Sequence, residues 1–215
     1  MDNISDVMDI LLKRYRKHRQ PTIRRTSKEN SPFKVLITCL LSLRTQDKNT
    51  EIASDNLFQH VKKSEDIIKM PVKKLEKLIY SSGHYKKKAR TIKHVTREII
   101  SRFNNKVPSN KEDLLSIKGI GPKTANIVLS FAYGKMVLPI DTHCHHIPNR
   151  LGWVKTKTPE QTEKELEKIL PKKYWKEFNT TIILFGKSIC LPISPKCSIC
   201  PVFRYCKKIG VTISR

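Results

Sequence analysis

The chain is organised around the stretch Leu114–Asp141, which reads LLSIKGIGPKTANIVLSFAYGKMVLPID. Two glycines bracket Ile120, and Pro122 then begins a helix, a position where a proline loses no hydrogen bond. Glycine permits a positive φ and lets another molecule approach the backbone closely. The N–H groups of such a loop and of the first helical turn form an anion-binding site. The stretch therefore predicts a helix, a glycine turn and a second helix that together bind an anion.

Two ionisable residues in this stretch are candidates for chemistry. Lys123 lies in the first turn of the second helix, where the helix dipole disfavours an ammonium and should lower its pKa. A lowered pKa is what a lysine nucleophile requires. Asp141 follows after the helix and a turn at Gly134. Taken alone, Lys123 could also be a phosphate clamp or a solvated side chain, Asp141 could be only a helix N-cap, and the glycine turn could reflect packing.

The charge balance indicates the class of partner. The 215 residues include 43 Lys and Arg against 19 Asp and Glu, a net charge of +24. Such an excess favours a polyanionic partner, with nucleic acid as the first candidate and anionic membrane as the second. No apolar run is long enough to span a bilayer, and Met1–Asp9 lacks the apolar core of a signal peptide. We therefore expect a soluble, intracellular protein. The lysine-rich, glycine-poor composition indicates a prokaryote, in which the protein would be cytoplasmic and nucleoid-associated. A lysine-rich solvated surface is the alternative explanation of the charge.

Four of the six cysteines lie close together near the end of the sequence. They have the spacing Cys190-x6-Cys197-x2-Cys200-x5-Cys206. In a reducing compartment this clustering favours a metal over disulfides. Four thiolates in one compact loop can hold either a tetrahedral zinc or a cubane iron–sulfur cluster, and the spacing leaves both open.

The two remaining cysteines have simpler interpretations. Cys39 lies in an apolar helix and is expected to be a small core residue. Cys144 lies beside His143, His145 and His146, a grouping that could suggest a second metal. We interpret Cys144, His145 and His146 as packing or phosphate contacts.

Hydrophobic spacing predicts an all-α fold, with no alternating strand pattern and no repeat of fixed period. Starts are expected at Ser31-Pro32, Asp47, Asn110 and Thr158 as N-cap signals, while Gly83 should end one helix and Pro148 should bend or end another. The expected helices are Ile4–Tyr15, one from Ser31, one from Asp47, Ser64–Met70, Pro71–Tyr80, Lys86–Asn105, the two of the central stretch, Thr142–Leu151, one from Thr158 and Tyr174–Ile189. The basic segment Arg14–Lys28 is interpreted as a phosphate contact or a solvated linker.

Together these features resemble the endonuclease III family of DNA glycosylases, which belongs to the helix–hairpin–helix superfamily and carries an iron–sulfur cluster. The resemblance is carried by LLSIKGIGPKTANIVL, by IDTH-x4-PNR from Ile140, and by the cysteine spacing. Ser31-Pro-Phe together with LLSLRTQD, which ends at Asp47, is similar to the family's early helix and damage-side loop. The three main motifs occur in the family's order.

The resemblance implies two helical domains that flank a DNA-binding cleft. Residues 28–137 would form a six-helix barrel with the hairpin at residues 117–123. Residues 1–27 and 138–215 would form the cluster domain, with the iron–sulfur loop at residues 190–206.

The same resemblance implies a bifunctional DNA glycosylase and abasic-site lyase of base excision repair, acting on oxidised pyrimidines. Lys123 would attack C1′ of a nucleotide extruded from the duplex, and Asp141 would stabilise the positive charge that develops on the sugar. Cys190, Cys197, Cys200 and Cys206 would hold a [4Fe-4S] cluster, and the hairpin would often bind a monovalent cation. The partner would be duplex DNA with damaged bases or abasic sites, bound by a monomer. Expected DNA contacts are Lys118, Gly119, Ile120, Gly121, Arg44, Gln46, His143, Arg204 and Lys207.

One departure from the family pattern leaves the lesion open. Arg44 stands where bacterial enzymes carry the glutamine that fills the gap left by the extruded base, and Gln46 follows two residues later. A mismatch or uracil/thymine glycosylase of the same fold is therefore an alternative. A non-catalytic helix–hairpin–helix DNA-binding protein is a second alternative, which the pairing of Lys123 with Asp141 disfavours.

Overall fold

A computed structural model describes residues 3–18 and 21–215. Helices and connecting turns account for all of the regular structure in these two ranges, which contain no β-strand. The predicted all-α fold is confirmed. No helix within these ranges is both long and apolar enough to cross a membrane.

The chain divides into two compact units. One unit is the continuous segment Gln20–Lys135, and the other joins Met1–Arg19 to Met136–Arg215. The segment Thr22–Ser27, which the resemblance assigned to the second of these, lies in the first.

Within its described residues, 21–135, the continuous unit contains eight helices. They are α2 (Thr22–Ser27), α3 (Pro32–Ser42), α4 (Asp47–His60), α5 (Ser64–Lys69), α6 (Val72–Leu78), α7 (Tyr85–Arg102), α8 (Lys111–Ser116) and α9 (Pro122–Tyr133). The central helix is α3, which is apolar nearly all round and packs on α2, α4, α7 and α9. Its residues Val35–Leu41 are all buried, as expected of a helix with no polar face.

The basic segment before α3 was not expected to be helical. It contains α2, because Thr22 and Thr26 are buried and Thr26 donates a hydrogen bond back to Thr22 O at 3.0 Å. Arg25 pairs with Asp55 at 2.7 Å and with Glu51 at 3.4 Å. Part of the positive charge of this segment is therefore neutralised within the unit.

The second unit contains α1 (Ile4–Tyr15), α10 (Thr142–Leu151), α11 (Pro159–Ile169) and α12 (Trp175–Ser188). Short 3-10 turns lie at Lys172–Tyr174, Cys197–Ile199 and Phe203–Tyr205. The apolar face of α1 packs on α12, and both contribute to one buried cluster that includes Leu11, Phe178 and Phe185. The N-terminal helix is thus part of the same core as the cysteine-containing tail.

Most helix starts follow their sequence signals. Ser31, Asn110 and Thr158 each accept a hydrogen bond from a backbone N–H in the first turn of α3, α8 and α11, at 3.3, 2.8 and 3.3 Å. The predicted cap at Asp47 is wrong. Asp47 is the first residue of α4, and its carboxylate accepts from the Thr22 N–H at 3.1 Å, so it fastens α2 to α4.

The expected helix end at Gly83 is wrong, and of the two effects expected of Pro148 the helix end does not occur, since α10 has the predicted bounds. Gly83 lies five residues beyond the end of α6 and does not cap it; its N–H donates to Thr45 Oγ1 at 3.0 Å. Pro148 does not end α10, which continues to Leu151 and stops at Gly152, a glycine with φ +82°. Gly152 supplies the left-handed residue that commonly ends a helix, and Pro148 is buried within α10.

Candidate nucleic-acid interface and active site

The glycine turn joins α8 to α9 and closes on itself. The Ile120 N–H donates to Ile117 O at 3.0 Å, and the Ile117 N–H donates to Leu114 O at 3.3 Å. Ile120 is buried, while Lys118, Gly119 and Gly121 on either side are exposed. The turn therefore anchors one aliphatic side chain inward and presents its backbone to solvent.

The two glycines of the turn have different roles. Gly119 has φ +105°, and an added Cβ would lie 2.8 Å from Thr91 Cγ2, so glycine is required by conformation and by space. Gly121 has φ −98°, and nothing lies within 4 Å of an added Cβ. Its glycine is not required by contacts within the unit, which leaves room for another molecule to approach the backbone at this point.

Lys123 occupies the first turn of α9, directly after this turn, and is half-buried. Its charge acts on the Cys39 thiol in α3, whose pKa is raised by burial to about 11 against the opposing effects of a Thr124 hydrogen bond and the Lys123 charge. Lys123 therefore lies at the contact between α3 and α9, at the end where α9 has N–H groups without helical acceptors.

Asp141 is the N-cap of α10. Its Oδ1 accepts a hydrogen bond from the Cys144 N–H at 2.8 Å, and the side chain is half-buried. The capping role considered from the sequence is confirmed. A capping carboxylate is held in one orientation, which is also the requirement for a group that must face a developing charge.

The His143 ring packs against α12. A Cβ at Gly186 would lie 2.3 Å from His143 Nδ1, so the ring rests on the glycine backbone. His143 is half-buried, and its role as a DNA contact stays a prediction. His145 and His146 contact Thr162 Oγ1 at 2.6 Å and Thr142 O at 2.7 Å. These two contacts lie within their own unit, as the interpretation of the histidines as packing residues expects.

The residues at the predicted gap-filling position lie on the loop between α3 and α4. Arg44 is exposed with φ +52°, a left-handed conformation that is unusual for a residue other than glycine. Gln46 is also exposed and precedes α4 without capping it. The loop therefore presents both polar side chains to solvent, with Arg44 on a backbone turn that its own residue type does not favour.

A buried lysine supports this loop. Lys88 in α7 donates from Nζ to Leu41 O and to Thr45 Oγ1, each at 2.6 Å. Burial lowers the pKa of Lys88 to about 8. The sequence does not distinguish Lys88 from its basic neighbours Lys86, Lys87 and Arg90, and a run of this kind is typical of a solvated helix face.

The four tail cysteines line one cavity together with Arg150 and Val202. All four are free thiols. Burial, opposed by Arg150, raises the pKa of the Cys190 thiol, and burial raises that of Cys200 to about 11. The neighbouring cysteines contribute to raising the pKa of both thiols.

Donors reach two of these sulfurs. The buried Arg150 donates to Cys190 Sγ at 3.3 Å and to Leu191 O at 2.8 Å, and the Lys208 N–H donates to Cys206 Sγ at 3.3 Å. Hydrogen bonds to thiolate sulfurs are typical of iron–sulfur sites. Within residues 3–18 and 21–215, however, no three Cys, His, Asp or Glu side chains are placed so that they could hold a single metal ion.

The basic residues around this loop remain on the surface. Arg204 and Lys207 are exposed. Arg204 lies over the Tyr205 ring at 4.8 Å, and the aliphatic part of Lys207 covers Gly152, where a Cβ would lie 2.4 Å from Lys207 Cδ. Both cationic groups are thus supported by packing while staying accessible.

Comparison with known proteins agrees with this arrangement. Residues 37–172 match the HhH-GPD superfamily base excision DNA repair protein family. The chain is 44% identical over 183 residues to endonuclease III of Thermotoga maritima, covering 85% of this chain and 86% of that protein.

Solved structures of DNA repair enzymes also share this fold. A trapped endonuclease III–DNA covalent intermediate superposes with a TM-score of 0.83 at 31% identity, covering 96% of this chain and 95% of the other. A thermostable thymine-DNA glycosylase superposes with a TM-score of 0.85 at 25% identity, covering 96% of both chains. By sequence and by structure, the chain belongs to the HhH-GPD superfamily of base excision DNA repair proteins and, within it, to the endonuclease III family of DNA glycosylases with abasic-site lyase activity.

Proposed function

We propose that this protein removes oxidised pyrimidines from duplex DNA and then cleaves the strand at the abasic site, with Lys123 as the nucleophile. The observation that carries the proposal is the placement of Lys123 in the first turn of α9, directly after the exposed glycine turn. A turn that binds the DNA backbone would bring the sugar of a neighbouring nucleotide to this amine.

The DNA contacts in the proposal are of two kinds. The backbone of Lys118–Gly121 would hold a phosphate through N–H groups, with a monovalent cation at the hairpin. Such a contact carries no sequence information and fixes the position of the enzyme. Arg204 and Lys207 would contact further phosphates, while Arg44 and Gln46 would face the gap from which the damaged nucleotide is extruded.

The proposed reaction begins with attack of the neutral Lys123 amine on C1′. The C1′–N bond breaks, and the base leaves with its bonding electrons and takes one proton from the attacking amine. The nitrogen lone pair then forms the C1′=N double bond as the C1′–O4′ bond breaks and O4′ takes a proton from solvent, which leaves a protonated Schiff base between Lys123 and the opened sugar. Loss of a C2′ proton then drives β-elimination, which breaks the bond to the 3′ phosphate. Asp141 would stabilise the positive charge on the sugar during the first step.

We also propose that Cys190, Cys197, Cys200 and Cys206 hold a [4Fe-4S] cluster. The shared cavity, the four free thiols and the donors from Arg150 and Lys208 support this assignment. The cluster would fasten the tail loop and so support Arg204 and Lys207. Analysis of iron and sulfide in the purified protein tests the assignment, and zinc at one equivalent without sulfide would contradict it.

In this proposal the unit Gln20–Lys135 acts as the barrel domain and the other unit as the cluster domain, with boundaries near those inferred from the sequence. The enzyme would act as a monomer in the cytoplasm, where chromosomal DNA lies in a prokaryotic cell.

The experiment that tests the function uses oxidised, deaminated, mismatched and abasic duplexes with wild-type protein and Lys123→Ala. We expect strand cleavage on a thymine-glycol duplex and a covalent adduct after borohydride reduction, both abolished in Lys123→Ala. An adduct that persists in Lys123→Ala would contradict the role of this lysine. Faster processing of uracil or thymine opposite guanine would contradict the assignment to oxidised pyrimidines.

A further inference from the structure

A group of hydrogen-bonded residues, Lys88, Thr45 and Gly83, contacts the loop that carries Arg44; we call this group the node. The ammonium of Lys88 donates to Leu41 O, at the end of α3, and to Thr45 Oγ1, each at 2.6 Å. The same Thr45 oxygen accepts the Gly83 N–H at 3.0 Å. One lysine thus connects the end of α3, the loop after it and the turn before α7.

The node contacts the backbone of Arg44 directly. A Cβ at Gly83 would lie 2.9 Å from Arg44 O, which is closer than a side chain permits. Only glycine lets the turn before α7 lie against Arg44. Because Thr45 is hydrogen-bonded to Lys88 and to Gly83, Arg44 has little freedom to leave its left-handed conformation, φ +52°.

Stability alone does not explain the use of a lysine here. Lys88 is buried, and both of its acceptors are uncharged, so its ammonium loses water without gaining an ion pair. The negative end of the α3 dipole offsets part of that loss. A left-handed arginine adds a further cost, since non-glycine residues in this region store about 1–3 kcal/mol of strain. The buried ammonium of Lys88 and the left-handed backbone of Arg44 both lower the stability of the folded state. Their occurrence together at one exposed loop is typical of a functional site.

We propose that Lys88 is a positioning residue for the gap-filling loop: through Thr45 and Leu41 it holds Arg44 in the conformation that occupies the space left by the extruded nucleotide. The inference rests on the proposed function. The competing explanation is that Lys88 only ends α3 and stabilises the unit.

Lys93 provides a matched control on the same helix. Its Nζ donates to Ile67 O and Ile68 O at 3.0 Å, and to Met70 O, at the end of α5. Lys93→Met therefore removes a lysine that ends a helix in the same way, away from the Arg44 loop. Thr45→Val removes the shared hydroxyl at almost constant shape, and Thr45→Ser retains it.

The experiment measures occupation of the gap. The full-length protein is mixed with a duplex that contains a tetrahydrofuran abasic analogue opposite 2-aminopurine, whose fluorescence reports on stacking at the orphaned position. Affinity for this duplex and for an intact duplex of the same sequence gives a discrimination ratio. All variants are measured well below their own melting temperatures.

We expect Lys88→Met and Thr45→Val to lower the discrimination ratio by about tenfold, which corresponds to about 1.4 kcal/mol. The 2-aminopurine response should fall with it, while the affinity for the intact duplex stays within about twofold. Thr45→Ser should restore both readouts, and Lys93→Met should match wild type.

An unchanged discrimination ratio and fluorescence response in folded Lys88→Met would overturn the inference. Equal losses in Lys93→Met and Lys88→Met would assign both lysines to stability alone and would overturn it as well. The proposed function fails in a different way, since wild-type protein itself would then neither discriminate the abasic analogue nor form a borohydride-trapped adduct.

Discussion

At the scale of single residues, Asp141 has a confirmed structural role and a proposed chemical one. It caps α10 through the Cys144 N–H, and it is the proposed stabiliser of charge on the sugar. The two roles respond differently to substitution because asparagine is as good an N-cap as aspartate but carries no charge.

We therefore predict that Asp141→Asn keeps its thermal stability and loses about 100-fold or more in glycosylase turnover, as removal of a catalytic electrostatic group usually does. Asp141→Ala should lose a similar amount of turnover and also about 1 kcal/mol of stability. Thr158→Ala, which removes the cap of α11, is the control and should lose stability without losing turnover. Full turnover in Asp141→Asn would leave Asp141 with the capping role alone.

At the scale of elements, the hairpin between α8 and α9 contains one glycine that the fold requires and one that it does not. Gly119 is required by its positive φ and by Thr91, whereas Gly121 contacts nothing that a methyl group would meet. The two glycines of the hairpin thus have different roles, since the fold requires Gly119 but does not require Gly121.

We predict that Gly119→Ala destabilises the protein by about 1–3 kcal/mol, because alanine is strained at this φ. Gly121→Ala should melt like wild type but bind intact duplex more weakly, since the methyl group would lie where a phosphate approaches. Thermal melts and duplex titrations measure the two effects. Wild-type binding by Gly121→Ala would contradict the placement of a phosphate at this turn.

The burial of Lys88 at the end of α3 predicts that the free energy of unfolding depends on pH. In the folded protein burial lowers the pKa of Lys88 to about 8, below the ordinary value of 10.5. Between these two values the unfolded chain binds more protons than the folded protein, so the free energy of unfolding rises with pH.

We predict that the stability of wild type relative to Lys88→Met increases as the pH is raised from 8 towards 10.5, and is flat below the folded-state pKa. Urea unfolding of both proteins across this range measures the difference. A constant difference would show that Lys88 titrates normally in the folded protein.

At the scale of the whole molecule, the net charge of +24 is the dominant feature. Ion pairs such as those of Arg25 with Glu51 and Asp55 place opposite charges together but leave this net excess unchanged. The excess is available to neutralise phosphates and to release the ions condensed on DNA.

We expect the affinity for intact duplex to fall steeply with salt, by about 0.9 log units per log unit of salt for each phosphate neutralised. Titrations at several salt concentrations give the number of contacts. Lys207→Ala should reduce the slope by about one contact, and a flat response in wild type would exclude the polyanion explanation of the charge.

The sequence by itself determined the features that depend on local spacing. Hydrophobic periodicity and the caps at Ser31, Asn110 and Thr158 placed most of the helices, and the order of the hairpin, acidic and cysteine motifs identified the family. These signals survive in a single sequence because helix formation and capping involve residues only three or four positions apart.

The tertiary structure alone decided what distant residues do to one another. Asp47 fastens α2 instead of capping α4, Gly83 leaves room for Arg44 instead of ending α6, and Lys88 is buried although it lies among solvated lysines. In each case the partner is at least 25 residues away in the chain. Local spacing carries no information about such partners, because they become neighbours only when the helices pack.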